Sequence, residues 1–184
     1  MSTLYVLVGI PASGKSTVSK ELEKNGVPAI STDKIREEIF GDENLQYTPE
    51  WLKEHGYTGS DDHEERSAFA HIIIFDLFYD KINELLKSGS DVTADATNYT
   101  KKIRKLLLDS CKKYADRVIA LVLATPVEVC IERNAKRERT VRQDSFMKMI
   151  NNYEEPILEE GFTDIKYIYS DENAAETVRK LLNK

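Results

Sequence analysis

The stretch GIPASGKS at residues 9–16 completes the pattern G-x-x-x-x-G-K-[ST], directly after an apolar run at residues 4–8 and directly before a helix-compatible stretch. A strand that ends on a glycine-rich loop leaves backbone N–H groups pointing inward, and the following helix adds its unpaired N-terminal donors and partial positive charge. Such a concavity fits a chain of phosphates. The pattern therefore predicts that Gly9, Ala12, Ser13, Gly14, Lys15, Ser16 and Thr17 cradle the phosphates of ATP. Lys15 would reach the β and γ phosphates, and the Ser16 hydroxyl would take one position on Mg²⁺, whose octahedral shell is otherwise phosphate oxygen and water.

Outward from the loop, short β-rich runs alternate with longer helical ones, the pattern of a parallel sheet wound by crossover helices. Strands are predicted at 4–8, 27–30, 91–94, 118–124 and 165–169. Helices are predicted at 17–24, at 33–40 with Ile35, Ile39 and Phe40 on one side, at 64–87, and at 101–114 with Ile103, Leu106, Leu107 and Cys111 inward. Pro126 opens a further helix, Asp144 or Ser145 caps one that runs to about Tyr153, and 174–182 closes the chain. The expected fold class is α/β, a P-loop NTPase fold with a parallel sheet of about five strands flanked by helices, in a single domain over residues 1–184.

No run approaches the roughly 18 apolar residues that read as a membrane span, and the N-terminus goes straight into strand and loop, so a cytoplasmic protein with no membrane partner is expected. Cys111 and Cys130 lie far apart without metal-like spacing and predict neither a disulfide nor a metal site. The net charge of −6 is unevenly spread: residues 41–66 carry eight acids against Lys53 and Arg66, which alone accounts for −6. This acidic excursion lacks periodicity and is read as a lid or loop beside the sheet. Its Tyr47, Trp51 and Tyr57 could stack on a base or anchor the excursion by packing. His55, His63 and His71 show no metal spacing and receive no role. Residues 136–143, rich in Lys and Arg, read as a basic lid.

Transfer of a phosphoryl group needs an acceptor site, a base and added positive charge beyond the loop itself. Asp33 follows the second strand at the same carboxyl edge as the loop and is the candidate base toward an attacking hydroxyl; Arg36, one helical turn on, could hold an acceptor phosphate or orient Asp33. Asp95, with Thr97 and Asn98 behind it, ends the third strand and could hold Mg²⁺ through water or fix an arginine. Arg133 and Arg137 are four apart and share a face if their helix persists; Arg137 is the first candidate, Arg133 the second, to fork over the transferred group.

In this order, the loop, Asp33 with Arg36, the D-x-T-N stretch at Asp95 and the R-N-x-K-R stretch at Arg133 resemble the phage-type 5′-hydroxyl polynucleotide kinases and the surrounding AAA-type zeta-toxin and polynucleotide-kinase-like ATPases, over roughly residues 3–155. The resemblance implies that Asp33 is the general base toward a 5′ hydroxyl and that Arg36 binds the acceptor's 3′ phosphate. It implies also that Asp95 supports the acceptor site, with Asn98 beside it, and that Arg137 contacts the donor phosphates. Where the best-known members carry an arginine before the aspartate, this chain has Thr32. The expectation is thus a kinase dependent on ATP and Mg²⁺ that acts on the 5′-hydroxyl end of RNA or DNA. The alternatives are a small-molecule kinase acting on a sugar, nucleoside or antibiotic, and a nucleotide-gated binding module or ATPase. Nothing in the sequence sets the oligomeric state.

Overall fold

Residues Thr3–Val8 form the first strand, β1, and all six are buried, which only a central strand covered on both faces allows. The computed structural model describes residues 1–137, 140–169 and 173–182. With β2 (Ala29–Ser31), β3 (Val92–Asp95), β4 (Arg117–Leu123) and β5 (Asp164–Ile168), β1 makes a five-stranded sheet in the order β2-β3-β1-β4-β5. Every pairing is parallel. Parallel neighbours require crossovers, so all five strands send their carboxyl ends to one edge.

The helices are α1 (Lys15–Lys24), α2 (Thr32–Phe40), α3 (Pro49–Glu54), α4 (His63–Lys87), α5 (Lys101–Cys111), α6 (Val127–Lys136), α7 (Gln143–Asn151) and α8 (Ala174–Leu182). Alternation along β1 assigns them to layers. Leu4, Val6 and Val8 pack with Ile74, Phe78, Ile82 and Leu86 of α4 and with Leu107, Leu108 and Cys111 of α5. Tyr5 and Leu7 face the other way, onto Val18 and Leu22 of α1 and Ala174 and Val178 of α8. On α4 the buried residues recur every fourth position, Ala70, Ile74, Phe78, Ile82 and Leu86, one ridge laid along a helix about 37 Å long. No helix among the described residues is long and apolar enough to cross a membrane. Both cysteines are buried.

Several sequence expectations need correction. Leu106 is 53% exposed, and the inward face of α5 is instead Arg104, Leu107, Leu108 and Cys111. Beyond Cys111 the chain tightens into a 3₁₀ turn over Lys112–Tyr114. On α2 only Ile35 is deeply buried; Ile39 lies at the surface while Phe40 meets Trp51 edge to face at 5.3 Å. Ser31 caps that helix by accepting from the Asp33 amide. The acidic excursion contains a regular element after all, since Thr48 caps α3, Pro49 opens it, and Trp51 and Leu52 are buried. Arg142, not Asp144 or Ser145, precedes α7, and Asp144 lies in its first turn, paired with Arg142 at 2.9 Å.

Arg104 is the largest fully buried side chain. Its Nε and Nη2 donate to the two oxygens of Glu160, each at 2.8 Å. Nη1 donates to the carbonyls of Asn98 (3.1 Å) and Glu154 (2.7 Å), and Nη2 to that of Glu155 (3.3 Å). Removing one member strands a charge in a low-dielectric interior, a loss of about 3–5 kcal/mol. Urea unfolding should show that loss for Arg104→Met and for Glu160→Met alike, and the double variant should be no less stable than Arg104→Met alone.

Candidate active site

The loop after β1 needs its glycines for space and for backbone conformation. A Cβ on Gly9 would sit 2.6 Å from Ser13 Oγ, closer than side chains tolerate, and 3.2 Å from Leu123 Cβ, a tight contact. Ala12 (φ 63°) and Gly14 (φ 98°) adopt left-handed conformations, which turn successive amides toward one concavity. Gly14 caps α1 with no side-chain acceptor, so the helix's first N–H groups remain for a ligand. Ser16 and Thr17 are exposed at that helix start. Ser13 is fully buried; its carbonyl accepts from Thr125 Oγ1 at 2.8 Å, and its Oγ has no hydrogen-bond partner among the described residues.

Lys15 folds back over the loop and donates from Nζ to the carbonyls of Gly9 (2.9 Å) and Ile10 (2.8 Å). Burial pushes its pKa down to about 8, against the opposing pull of Asp95. Asp95 ends β3 level with Ser31 of β2. Burial raises its pKa, and a hydrogen bond from Ser19 and the charge of Lys15 hold it down. Asp33 lies one turn from Arg36, whose Nη1 donates to Asp33 Oδ1 at 3.2 Å.

Asn98 is turned away from the place the sequence suggested. It is fully buried at φ 47°, and its Nδ2 donates to the carbonyls of Leu7 (2.8 Å) and Ala96 (3.2 Å). Beside it the Thr97 carbonyl accepts from the Gly9 amide at 3.0 Å. Asn98 therefore braces the turn after β3 against β1, and its side chain does not line the open cavity.

Arg133 and Arg137 do not share a helix face, because α6 ends at Lys136 and Arg137 is extended at ψ 143°. Both nevertheless line the cavity. The segment beyond is held at Val141, whose amide donates to Asn134 Oδ1 and whose carbonyl accepts from Asn134 Nδ2, both at 3.0 Å. Of the expected lid, Glu138 and Arg139 lie outside the described residues.

These groups surround one cavity of about 560 Å³. Ala12, Gly14, Lys15 and Ser16 stand along one part of its wall, Asp33 and Arg36 along another, with Asp95, Arg133 and Arg137 among the remainder. Sequence reading missed His71 and Phe75 of α4, which line the wall with rings 4.4 Å apart, and Met149 of α7. Their only trace in sequence is a spacing of four on a helix, which core residues share. Trp51 packs on Phe40 and His55, and Tyr57 on Phe69, so these excursion aromatics anchor it to the body. Among the described residues no three His, Cys, Asp or Glu side chains cluster as metal ligands. Ser16 and Asp95 could still serve a hard cation whose other ligands are phosphate and water, and the hydroxyl and carboxylate oxygens suit Mg²⁺.

Fold and loop together define a P-loop kinase-like protein. Residues 4–156 match the AAA domain family, and the chain belongs to it. The chain is 28% identical to protein kti12 of Schizosaccharomyces pombe over 158 residues, 83% of this chain and 52% of that protein. It is 25% identical to L-seryl-tRNA(Sec) kinase of Methanococcus maripaludis over 159 residues, 83% of this chain and 53% of the other. It spans about half the length of these two relatives. In three dimensions it is similar to Chaetomium thermophilum Kti12, whose crystal structure holds ADP-AlF3, with a TM-score of 0.64 at 17% identity over 98% of this chain and 97% of that one. That likeness shows the fold.

With its Nζ on the Gly9 and Ile10 carbonyls, Lys15 is cationic below about pH 8 and neutral above it. Phosphates favour the cation, so binding above that pH must take up a proton, and nucleotide affinity should fall from about pH 8 toward 10. Calorimetry of ADP binding near pH 9, without divalent metal and in buffers of differing ionisation enthalpy, should return close to one proton taken up per nucleotide. Lys15→Met should return none.

Proposed function

We propose that this chain is a kinase that moves the γ-phosphoryl group of ATP to a hydroxyl, and that the hydroxyl is the 5′ end of RNA or DNA. The observation that carries the reading is that a single cavity has the phosphate loop at one side and the Asp33–Arg36 pair at another. Donor and acceptor can thus meet without water between them.

The acceptor oxygen attacks the γ phosphorus in line, its new P–O bond forming as the bond to the bridging β–γ oxygen breaks. Asp33 takes the hydroxyl proton, and ADP leaves with the bonding electron pair. Lys15 leaves the Gly9 and Ile10 carbonyls for the phosphates, and Arg137 and Arg133 supply the positive charge that the spreading phosphoryl oxygens need. Mg²⁺, held through Ser16 and the water around Asp95, would neutralise the β and γ oxygens. Arg36 is suited to a phosphate on the acceptor, and a relative named for a kinase of seryl-tRNA supports an RNA-borne hydroxyl.

A second reading, a small alcohol as acceptor, is favoured by the acidic excursion at 41–66, a poor neighbour for a long polyanion. Labelled γ-phosphate offered with 5′-hydroxyl oligonucleotides, 5′-phosphorylated controls and a panel of sugars and nucleosides separates the two. Label is expected on the 5′-hydroxyl oligonucleotides. Asp33→Asn should lower transfer by about 10²- to 10⁴-fold with nucleotide affinity unchanged. Lost nucleotide affinity in that variant would remove Asp33 from the base's role.

A further inference from the structure

A second hollow of about 260 Å³ adjoins the cavity, and Arg36 and His71 line both. The hollow lies between α2, the start of the acidic excursion and α4, and its other lining residues are Gln46, Ser67, Ala68, Ala70 and Ile74. Ala70 and Ile74 are buried in the core and make an apolar floor. Gln46 brings an amide that both donates and accepts, and Ser67 a hydroxyl.

We propose that this annexe is an acceptor subsite that takes the base of the second nucleotide from the 5′ end. The inference rests on the kinase reading above. An acceptor whose hydroxyl meets Asp33 and whose following phosphate meets Arg36 has its next residue directed past Arg36, into the hollow. A flat ring with a polar edge suits an apolar floor bounded by an amide and a hydroxyl, and the His71 ring, tilted on Phe75, offers a face at the entrance. The volume has room for one base. Charge sets the limit in the same place. Gln46 belongs to the excursion, whose acids Asp42, Glu43 and Glu50 lie close to it in sequence and disfavour further phosphates. The subsite therefore reads a second nucleotide and gains nothing from a third.

The test measures kcat/KM for three acceptors with a free 5′ hydroxyl: a nucleoside 3′-phosphate, a dinucleotide with a 3′-phosphate, and a hexanucleotide. The dinucleotide should exceed the nucleoside 3′-phosphate by about five- to a hundredfold, the range expected for stacking one base, and the hexanucleotide should add nothing. Ala68→Leu narrows the annexe from its exposed rim and Gln46→Ala removes its amide; both positions are at the surface, so the fold should persist. Each should bring the dinucleotide to nucleoside ratio toward one. Equal rates on the two acceptors in the unaltered protein, or a ratio that neither substitution changes, overturn the subsite and leave the kinase reading standing. Label on no nucleotide acceptor overturns that reading and the subsite with it.

Discussion

A guanidinium with no access to water sits behind the active cavity, and the geometry of the site follows from how it is satisfied. Arg104 spreads its donors over both oxygens of Glu160 and over the carbonyls of Asn98, Glu154 and Glu155. Desolvating both charges offsets most of their attraction, so the pair adds little net stability compared with an apolar core of the same shape. It demands a single arrangement. The turn after β3 must present the Asn98 carbonyl to Arg104, and in that position the Asn98 amide reaches Leu7 while the Thr97 carbonyl receives the Gly9 N–H. The buried pair is thus connected, through one turn, to the backbone of the phosphate loop.

The cavity shows how a chain of net charge −6 can suit a polyphosphate. Lys15, Arg36, Arg133 and Arg137 line it against Asp33 and Asp95, while the excursion's own net charge of −6 equals that of the whole chain. Local field, not total charge, governs what such a site attracts. The root of the basic segment is also held in place. Ile10 of the loop packs with Cys130 of α6 and Phe146 of α7, and Val141 joins the same cluster, so the base of the basic segment is anchored to the loop it overhangs. Asn134, pairing with both polar groups of Val141's backbone, returns the chain toward the cavity after Arg137.

Most of the architecture was legible because it depends on patterns of one or two turns. A run apolar on both faces is a buried parallel strand, and β1, β3 and β4 have such runs; a glycine-rich loop between strand and helix has few other uses. The misses share a physical cause. Nothing local in the sequence marks Arg104 as interior, since only its distant partner Glu160 makes burial tolerable, whereas Leu106, expected inward, lies at the surface. Asn98 has the residue type of an acceptor contact and the geometry of a brace, because its left-handed backbone turns the side chain under the sheet. His71 and Phe75 lie on α4, far along the chain from the loop, and nothing local separates them from the core ridge of the same helix.

The sequence by itself determined that a phosphate-binding loop stands between a buried strand and a helix, that parallel strands and crossover helices follow, and which basic and acidic residues occupy the carboxyl edge. Local spacing, burial pattern and backbone conformation fix those features within a few residues of one another. Tertiary structure alone decided that Arg104 is interior, that Asn98 supports rather than faces the cavity, that Arg137 reaches it in extended form, and that Arg36 lines a second hollow as well. Each depends on the approach of segments tens of residues apart, and the free energy of such contacts is invisible until both partners are in place.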